Sequence, residues 1–332
     1  MSNVEKKTPL LEVKNLKTYF HSSGGLVKAV DDVSFDVYEG ETLGIVGESG
    51  CGKSMTCMSL ARLVECPPGK YEGGEILFDG DDMLKVSEEE IRKIRGNKIS
   101  YIFQEPMTSL NPVYKIGRQI EEVLMLHRNM TKEEAKKEAI KALDLVKIPN
   151  PERIVEEYPF ALSGGMRQRV MIAMALACSP KVLVADEPTT ALDVTIQAQV
   201  LDLMNDLKKQ VDTSILFITH DLSVIAEMAD RVMVMYAGKV VELADVNTIF
   251  ETPLHPYTIG LIGSRPDMST SSNRLNVISG NVPDLSDLPE GCAFSPRCPF
   301  ATEKCHTSMP DLVEVAPGHS VRCYNPGGKN NE

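Results

Sequence analysis

The stretch that decides the fold is TLGIVGESGCGKS, residues 42–54. Its first five residues are mostly apolar and have the composition of a strand buried on both faces of a parallel sheet. The glycine-rich turn GESGCGKS follows, and a helical pattern begins at Met55. A strand, a turn of this composition and a helix in that order predict a phosphate-binding loop on an α/β scaffold.

The residues of this turn have separate expected roles. Glycines let the backbone N–H groups point inward and hold phosphate oxygens, and the N-terminus of the following helix attracts anions. Lys53 supplies a positive charge to the β- and γ-phosphates, and Ser54 offers a hydroxyl to Mg²⁺. The predicted ATP-binding residues of the turn are Gly47, Glu48, Ser49, Gly50, Cys51, Gly52, Lys53 and Ser54.

Other apolar segments predict the rest of the core. Short apolar runs at residues 99–103, 181–185 and 214–218 are typical of buried parallel strands. In residues 33–37 and 76–78, apolar side chains instead stand at every second position, at Val33, Phe35 and Val37 and then at Ile76 and Phe78. This alternation predicts an antiparallel layer with one exposed face.

Helical patterning dominates about residues 106–178, where Thr131 and Glu134 have capping-box spacing ahead of a helical run. After about residue 247, Pro, Ser and Asn become frequent and cysteines gather. We therefore predict an ATPase domain over residues 1–246, with a helical subdomain at about 106–178. A small, loop-rich C-terminal domain is predicted over residues 247–332.

The composition excludes several classes of protein. The chain has 332 residues, 42% of them apolar, which suffices for about two domains with a sizeable core. Its 47 acidic and 35 basic residues give a net charge of -12, which argues against a generally nucleic-acid-binding surface. The longest apolar run, residues 170–178, is about half of a membrane span, and the N-terminus lacks an apolar signal core. We expect a cytosolic chain.

Two carboxylates follow the apolar run that ends at Ala185. Asp186, at the end of a buried strand, is expected to reach the metal ion that accompanies ATP. Glu187, one residue further, can polarise a water molecule that attacks the γ-phosphate. Their position downstream of a phosphate-binding loop favours these roles over a solvated turn.

The sequence LSGGMRQ at residues 162–168 resembles the LSGGQ signature of ABC-type ATPases, with Met166 in place of the usual Gln. The resemblance covers roughly residues 10–245 and includes further motifs of the family in the family's order. It implies a P-loop ABC-type ATPase core with an antiparallel β layer and a helical insertion. The matching positions are Gln104 in the Q-loop, Ser163, Gly164 and Gly165 in the signature, Asp193 in the D-loop, the switch histidine His220, and Phe20, or Tyr19 if the register slips by one, as the aromatic residue that stacks on adenine.

The resemblance also implies a mechanism. The phosphate-binding loop of one subunit and the signature of another bind the same ATP, so hydrolysis needs a dimer of these domains. Glu187 would act as the base, and His220 would hold the γ-phosphate and the water. Gln104 would sense Mg²⁺ and the attacking water, and Asp193 would communicate across the interface. Most of the catalytic effect would come from positioning and charge stabilisation.

Two segments resemble the importer branch of this family. QEPMTSLNP at residues 104–112 looks like the Q-loop extension of oligopeptide, dipeptide and nickel importers, and TPLHPYT at residues 252–258 looks like their His-Pro-Tyr element. The resemblance implies ATP-driven import of dipeptides or oligopeptides. A nickel or other solute importer is the alternative, and a soluble ABC ATPase is less favoured. His255, between two prolines, is expected to have a packing and turn role.

The same resemblance implies partners and a location. The chain would lie on the cytoplasmic face of the cell membrane as a peripheral subunit, docked to two permease subunits through about residues 104–114. Its ATPase partner would be a paralogous subunit or a second copy of this chain. An extracytoplasmic solute-binding protein would select the solute.

The last cysteines follow the spacing C-x5-C-x6-C-x17-C and are Cys292, Cys298, Cys305 and Cys323. This spacing leaves open a [4Fe–4S] cluster, a Zn²⁺ ion or reduced structural cysteines. The C-terminal cysteines resemble a set that this family associates with an iron–sulfur cluster, so the resemblance favours the cluster. Because the tail has few large apolar residues, such a centre would serve as a structural staple.

Overall fold

A computed structural model of the chain describes residues 8–22, 24–104, 109–190, 192–264 and 278–328. The chain divides into two compact units. The first lies within Met1–Val37, Thr42–Leu84 and Thr219–Glu332, and the second within Tyr38–Glu41 and Lys85–Ile218. Both units combine strands with helices, as the α/β prediction requires.

The strands of the first unit are β1 (Leu11–Ser22), β2 (Gly25–Val37), β3 (Thr42–Val46), β4 (Gly69–Phe78), β5 (Asp81–Asp82), β9 (Arg231–Tyr236), β10 (Lys239–Asp245), β11 (Val313–Ala316) and β12 (His319–Val321). Its helices are α1 (Lys53–Leu60), α8 (Leu222–Met228), α9 (Val246–Glu251), α10 (Pro256–Gly263) and α11 (Glu303–Thr307).

One sheet of the first unit is antiparallel, with the strand order β2-β1-β4-β5. The apolar positions of the two alternating segments, such as Val33, Val37 and Ile76, are fully buried. The residues between them, Ser34, Asp36 and Leu77, are more exposed. The predicted antiparallel layer is therefore confirmed.

The other strands of the first unit run in the order β11-β12-β10-β9-β3. β3 is parallel to β9, whereas β10 is antiparallel to both β9 and β12. Of the two strands of the cysteine-rich tail, β12 pairs with β10, which precedes residue 247, and β11 pairs with β12.

The second unit has a parallel core of β6 (Ile99–Ile102), β7 (Val182–Asp186) and β8 (Ser214–Ile218), with β7 in the middle. All three were predicted from their apolar runs. The helices of this unit are α2 (Glu88–Ile94), α3 (Ile116–Arg128), α4 (Lys132–Leu145), α5 (Pro151–Ile154), α6 (Gly164–Leu176) and α7 (Val194–Val211). None of the helices in the described parts of the chain has both the length and the apolar composition needed to cross a bilayer.

The predicted capping box starts α4. The N–H of Thr131 donates to Oε2 of Glu134 at 2.8 Å, and the N–H of Glu134 donates to Oγ1 of Thr131 at 3.4 Å. Two backbone N–H groups that lack an acceptor within the helix are thereby satisfied, and the helix begins here rather than earlier.

Candidate functional site

The predicted phosphate-binding loop connects β3 to α1 in the first unit. Gly47 has a φ of +152° and Gly52 a φ of +100°, a region that favours glycine. A Cβ at Gly52 would lie 2.2 Å from the carbonyl oxygen of Ala29, and one at Gly47 would lie 2.3 Å from that of Met235. The loop is therefore packed so closely on neighbouring backbone that only glycine fits at these two positions.

Lys53 is the first residue of α1, and its side chain turns back over the loop. Its Nζ donates to the carbonyl oxygens of Gly47 at 2.8 Å and Glu48 at 3.1 Å. Ser54 follows it in the first turn of α1. A buried positive charge thus lies beside the loop backbone, at the end of a helix that favours anions.

The two aromatic candidates for adenine stacking, Tyr19 and Phe20, have different surroundings. The hydroxyl of Tyr19 donates to Oδ1 of Asp31 at 2.6 Å, and burial together with this bond raises the pKa of the phenol. The ring of Phe20 is half-buried and lies against β4, where a Cβ at Gly69 would be 3.2 Å from its Cε1. Tyr19 is held by a polar contact, whereas Phe20 has no polar group that needs one.

In the second unit, two predicted catalytic residues meet at the carboxyl ends of the parallel strands. Nε2 of Gln104, just after β6, donates to Oε2 of Glu187, just after β7, at 2.9 Å. The hydroxyl of Thr190 donates to the same carboxylate oxygen at 2.9 Å. Asp186 is the last residue of β7 and is half-buried.

Glu187 also has an unusual backbone conformation. Its φ is +47°, and its N–H donates to the carbonyl oxygen of Ile218 at 2.9 Å. A non-glycine residue in this region costs about 1–3 kcal/mol, and such residues concentrate at functional sites. The carboxylate that follows this backbone position is held by one amide donor and one hydroxyl donor.

The signature turn forms the start of α6. The N–H of Met166 donates to Oγ of Ser163 at 3.4 Å, so Ser163 caps the helix. A Cβ at Gly165 would lie 2.8 Å from Cγ2 of Ile196. The absence of a side chain at Gly165 therefore lets this turn lie close to α7. Ser163 and Gly164 are exposed. The turn therefore presents a serine hydroxyl and a helix N-terminus to its surroundings.

Asp193 caps α7 by accepting the N–H of Ile196 at 3.0 Å. Val194 beside it is 84% exposed. His220 is exposed and lies just before α8, whose cap is Asp221. Ala191 of the D-loop lies outside the described residues, as do residues 105–108 of the Q-loop extension.

The four tail cysteines line one narrow cleft, whose free space of about 10 Å³ is about that of one water molecule. Burial raises the pKa of Cys292 and Cys298, and it raises that of Cys323 to about 12. Among the described residues, no group of three or more His, Cys, Asp or Glu side chains lies close enough together to hold a metal ion. The structure thus gathers the cysteines around one cleft, while the predicted metal centre is not confirmed.

Hydrogen-bond donors point at the sulfurs of this cleft. Three of the tail cysteines accept a bond from the backbone N–H of the second residue after them: Cys292 from Phe294, Cys298 from Phe300, and Cys323 from Asn325, the last at 3.3 Å. The buried hydroxyl of Ser295 lines the same cleft and has no hydrogen-bond partner within the described ranges. Such donors favour thiolate over thiol.

The His-Pro-Tyr element adds contacts that sequence reasoning missed. The N–H of Tyr257 donates to Nδ1 of the buried His255 at 3.1 Å, and burial lowers the pKa of His255 to about 3. This is the expected packing and turn role. The hydroxyl of Tyr257 also accepts the N–H of Glu48 at 2.9 Å, and Arg297 forms an ion pair with Glu48. No local pattern around Arg297 points to a partner 249 positions away.

Two family profiles match the chain. The one described as ABC transporter matches residues 30–190, and the one described as oligopeptide/dipeptide transporter, C-terminal region, matches residues 241–305.

Curated relatives match the chain over nearly all of its length. The oligopeptide transport ATP-binding protein AppD of Bacillus subtilis is 55% identical over 315 residues, which cover 95% of this chain and 96% of AppD. The oligopeptide transport ATP-binding protein OppD of Escherichia coli is 50% identical, covering 96% of this chain and 93% of OppD.

The fold also matches solved structures. The ATP-binding cassette MJ0796, in a dimeric post-hydrolysis state bound to ADP and Pi, has a TM-score of 0.64 and 28% identity, covering 71% of this chain and 98% of that one. A second dimeric structure of MJ0796, a bacterial ABC transporter cassette, has a TM-score of 0.63 at 29% identity, again covering 71% and 98%. By its sequence, its motifs and its fold, the chain belongs to the ABC transporter family, among the oligopeptide transport ATP-binding proteins.

Proposed function

We propose that this chain hydrolyses ATP to power the import of dipeptides or oligopeptides across the cytoplasmic membrane. The observation that carries the proposal is the presence, in one chain, of the ABC ATPase motifs and of the oligopeptide/dipeptide C-terminal region. Relatives that are 50–55% identical over nearly the whole chain are named as oligopeptide transport ATP-binding proteins.

Uptake of labelled solutes by cells that lack this chain tests the proposal. We expect uptake of a dipeptide or a longer peptide to be lost and to return when the chain is supplied again, while uptake of a free amino acid does not change. Loss of nickel uptake instead of peptide uptake would assign the other solute. Unchanged uptake of every solute would contradict an importer role.

In the proposed mechanism, the backbone of the loop at residues 47–54 and Lys53 hold the phosphates, and Phe20 stacks on adenine. Glu187 accepts a proton from water as the water oxygen attacks the γ-phosphorus and the bond to ADP breaks. The donors on Oε2 of Glu187 favour its ionised, proton-accepting form. His220 steadies the γ-phosphate.

The oxygen atoms of Ser54, Gln104 and Asp186 are ligands of the type that Mg²⁺ prefers. We therefore propose these three residues as its protein contacts. The ion would neutralise charge on the phosphates. Gln104 would then link the metal to Glu187, to which it is hydrogen-bonded at 2.9 Å.

The assembly is proposed from the surface positions of the signature and D-loop residues. Ser163, Gly164 and Asp193 are exposed, as contacts with ATP and with a second ATPase subunit require. That subunit is a paralogue or a second copy of this chain. The chain would be peripheral on the cytoplasmic side, with two permease subunits docked at about residues 104–114 and a solute-binding protein outside.

For this role we keep the division into an ATPase domain at 1–246, with its helical subdomain at about 106–178, and a C-terminal domain at 247–332. The tail cysteines are proposed to hold a [4Fe–4S] cluster. The chemistry of these residues suits the group because four cysteines line one cleft and N–H groups point at three of their sulfurs. The resemblance of these four cysteines to a set that the family associates with an iron–sulfur cluster favours the cluster over zinc.

Replacing one cysteine tests this proposal. We expect Cys298→Ser, purified anaerobically, to lose most of its iron and its visible absorbance and to become sensitive to protease in the tail, because a cluster in a tail with a small core supplies much of its folding energy. Cys66→Ser, at an exposed cysteine outside the tail, is the matched control. Full iron content in Cys298→Ser, or zinc in place of iron in the unaltered chain, would contradict the assignment.

A further inference from the structure

Glu48, the second residue of the phosphate-binding loop, is held from two directions by residues of the C-terminal region. Its backbone N–H donates to the hydroxyl of Tyr257 at 2.9 Å. Its two carboxylate oxygens accept from the two terminal nitrogens of Arg297, at 2.7 and 3.1 Å. A bidentate pair of this kind fixes direction as well as distance.

Arg297 is itself rigidly placed. Its side chain is only 4% exposed, and its other donors reach Oη of Tyr236 at 3.3 Å and the carbonyl oxygens of Ser279 at 3.0 Å and Ile278 at 3.4 Å. A guanidinium whose donors are all used loses little further freedom when it holds a carboxylate. Glu48 therefore binds to a fixed partner.

The segment that carries Arg297 is anchored by packing. Arg297 ends a short 3-10 turn, Ser295–Arg297, between Cys292 and Cys298. Next to the turn, the ring of Phe294 lies 5.3 Å from that of Tyr236 and 5.5 Å from that of Tyr257. The aromatic residues that hold the segment are thus the ones that contact Arg297 or Glu48.

The charge of Glu48 gives these contacts a consequence. A carboxylate in a loop that binds phosphates repels the bound anion unless a positive charge compensates it. Arg297 compensates it and keeps the carboxylate turned toward the C-terminal segment. Exposure of Glu48 is about one third, so the uncompensated charge would still act on a ligand of the loop.

We propose that Arg297 is a positioning residue for the phosphate-binding loop: it anchors Glu48, neutralises its charge, and so makes ATP affinity depend on the folded segment at residues 292–298. The inference rests on the proposed binding of ATP by this loop. By this inference, the C-terminal region contributes to nucleotide binding through Arg297.

The test is a set of dissociation constants for ATP, measured with the full chain at fixed ionic strength. Arg297→Met is expected to weaken ATP binding about tenfold, the size expected for one uncompensated charge near a bound anion. Arg297→Lys, which keeps the charge and loses the bidentate geometry, is expected to fall between Arg297→Met and the unaltered chain. Arg92→Met, at an exposed arginine of α2, is the matched control and is expected to bind normally.

The double variant Glu48→Gln/Arg297→Met separates positioning and charge from a general loss of structure. Because it removes the uncompensated carboxylate, we expect it to regain most of the ATP affinity, although it restores none of the contacts of Arg297. Thermal unfolding of the double variant shows whether its chain is folded. The comparison with the unaltered chain therefore remains valid even when Arg297→Met alone does not fold. Normal binding by Arg297→Met, or a double variant that binds as weakly as Arg297→Met, would overturn this inference alone. Failure of the unaltered chain to bind ATP would overturn the proposed function as well.

Discussion

Glu187→Gln is expected to lower the rate of ATP hydrolysis by about a hundredfold to ten-thousandfold, the range for loss of a positioned general base. Glutamine keeps the size of the side chain and can still accept from Gln104 and Thr190, which both contact Oε2 of Glu187 at 2.9 Å. It cannot take a proton from water. Phosphate release under saturating ATP measures the effect.

Binding of ATP separates this catalytic effect from damage to the site. We expect Glu187→Gln to bind ATP within about threefold of the unaltered chain, because the phosphate contacts come from the loop and Lys53 and no like charge is added. Glu227→Gln, at an exposed glutamate of α8, is the control and is expected to hydrolyse ATP normally. Near-normal turnover by Glu187→Gln would remove Glu187 from the role of base.

Lys53→Met is expected to weaken ATP binding by about 10- to 150-fold, because a hydrogen bond to a charged group contributes about 1.5–3 kcal/mol. The loss of turnover should be larger, since Lys53 also faces the charge that develops on the γ-phosphate. Methionine fills a similar volume, and the buried position of Lys53 accommodates an apolar side chain. Equilibrium binding of ATP and single-turnover hydrolysis measure the two effects.

Two further variants control for charge and folding. Lys209→Met, at an exposed lysine in the last turn of α7, removes the same charge elsewhere and is expected to bind ATP normally. The thermal unfolding of Lys53→Met reports whether loss of its bonds to the carbonyl oxygens of Gly47 and Glu48 opens the loop. A folded Lys53→Met that binds ATP as tightly as the unaltered chain would contradict the phosphate-binding role.

The core of the fold could be predicted from the sequence because its signals are local. The run at residues 42–46 reads as a buried strand and is β3, and the spacing of Thr131 and Glu134 reads as a cap and starts α4. In each case one short window contains both the pattern and its cause, a buried strand or a satisfied N–H group.

The geometry of the site could be predicted only in part, because it depends on contacts between distant residues. The motifs name Gln104 and Glu187, but their hydrogen bond joins positions 83 apart and needs the parallel pairing of β6 and β7. The positive φ of Glu187 could not be predicted, because the position is not occupied by glycine or asparagine, the residues that favour this conformation. These features come from tertiary packing that overrides local preference.

The tail shows the same limit. The cysteine spacing suggests a common site, and the structure does gather the four residues around one cleft. Nothing in the sequence predicts that β12, of three residues, pairs with β10, or that Arg297 holds Glu48. A strand of three residues, or an ion pair between residues far apart in the sequence, has no periodic pattern from which it could be predicted.

ATP hydrolysis by the complete transporter in membrane vesicles tests the central claim most directly. Vesicles with this chain, its ATPase partner and the permease subunits are supplied with the solute-binding protein, with or without peptide. We predict that peptide-loaded binding protein raises the rate of ATP hydrolysis together with peptide uptake, and that both are lost with Glu187→Gln in this chain. Peptide uptake that continues at the normal rate with Glu187→Gln, or hydrolysis that does not respond to peptide, would contradict the account.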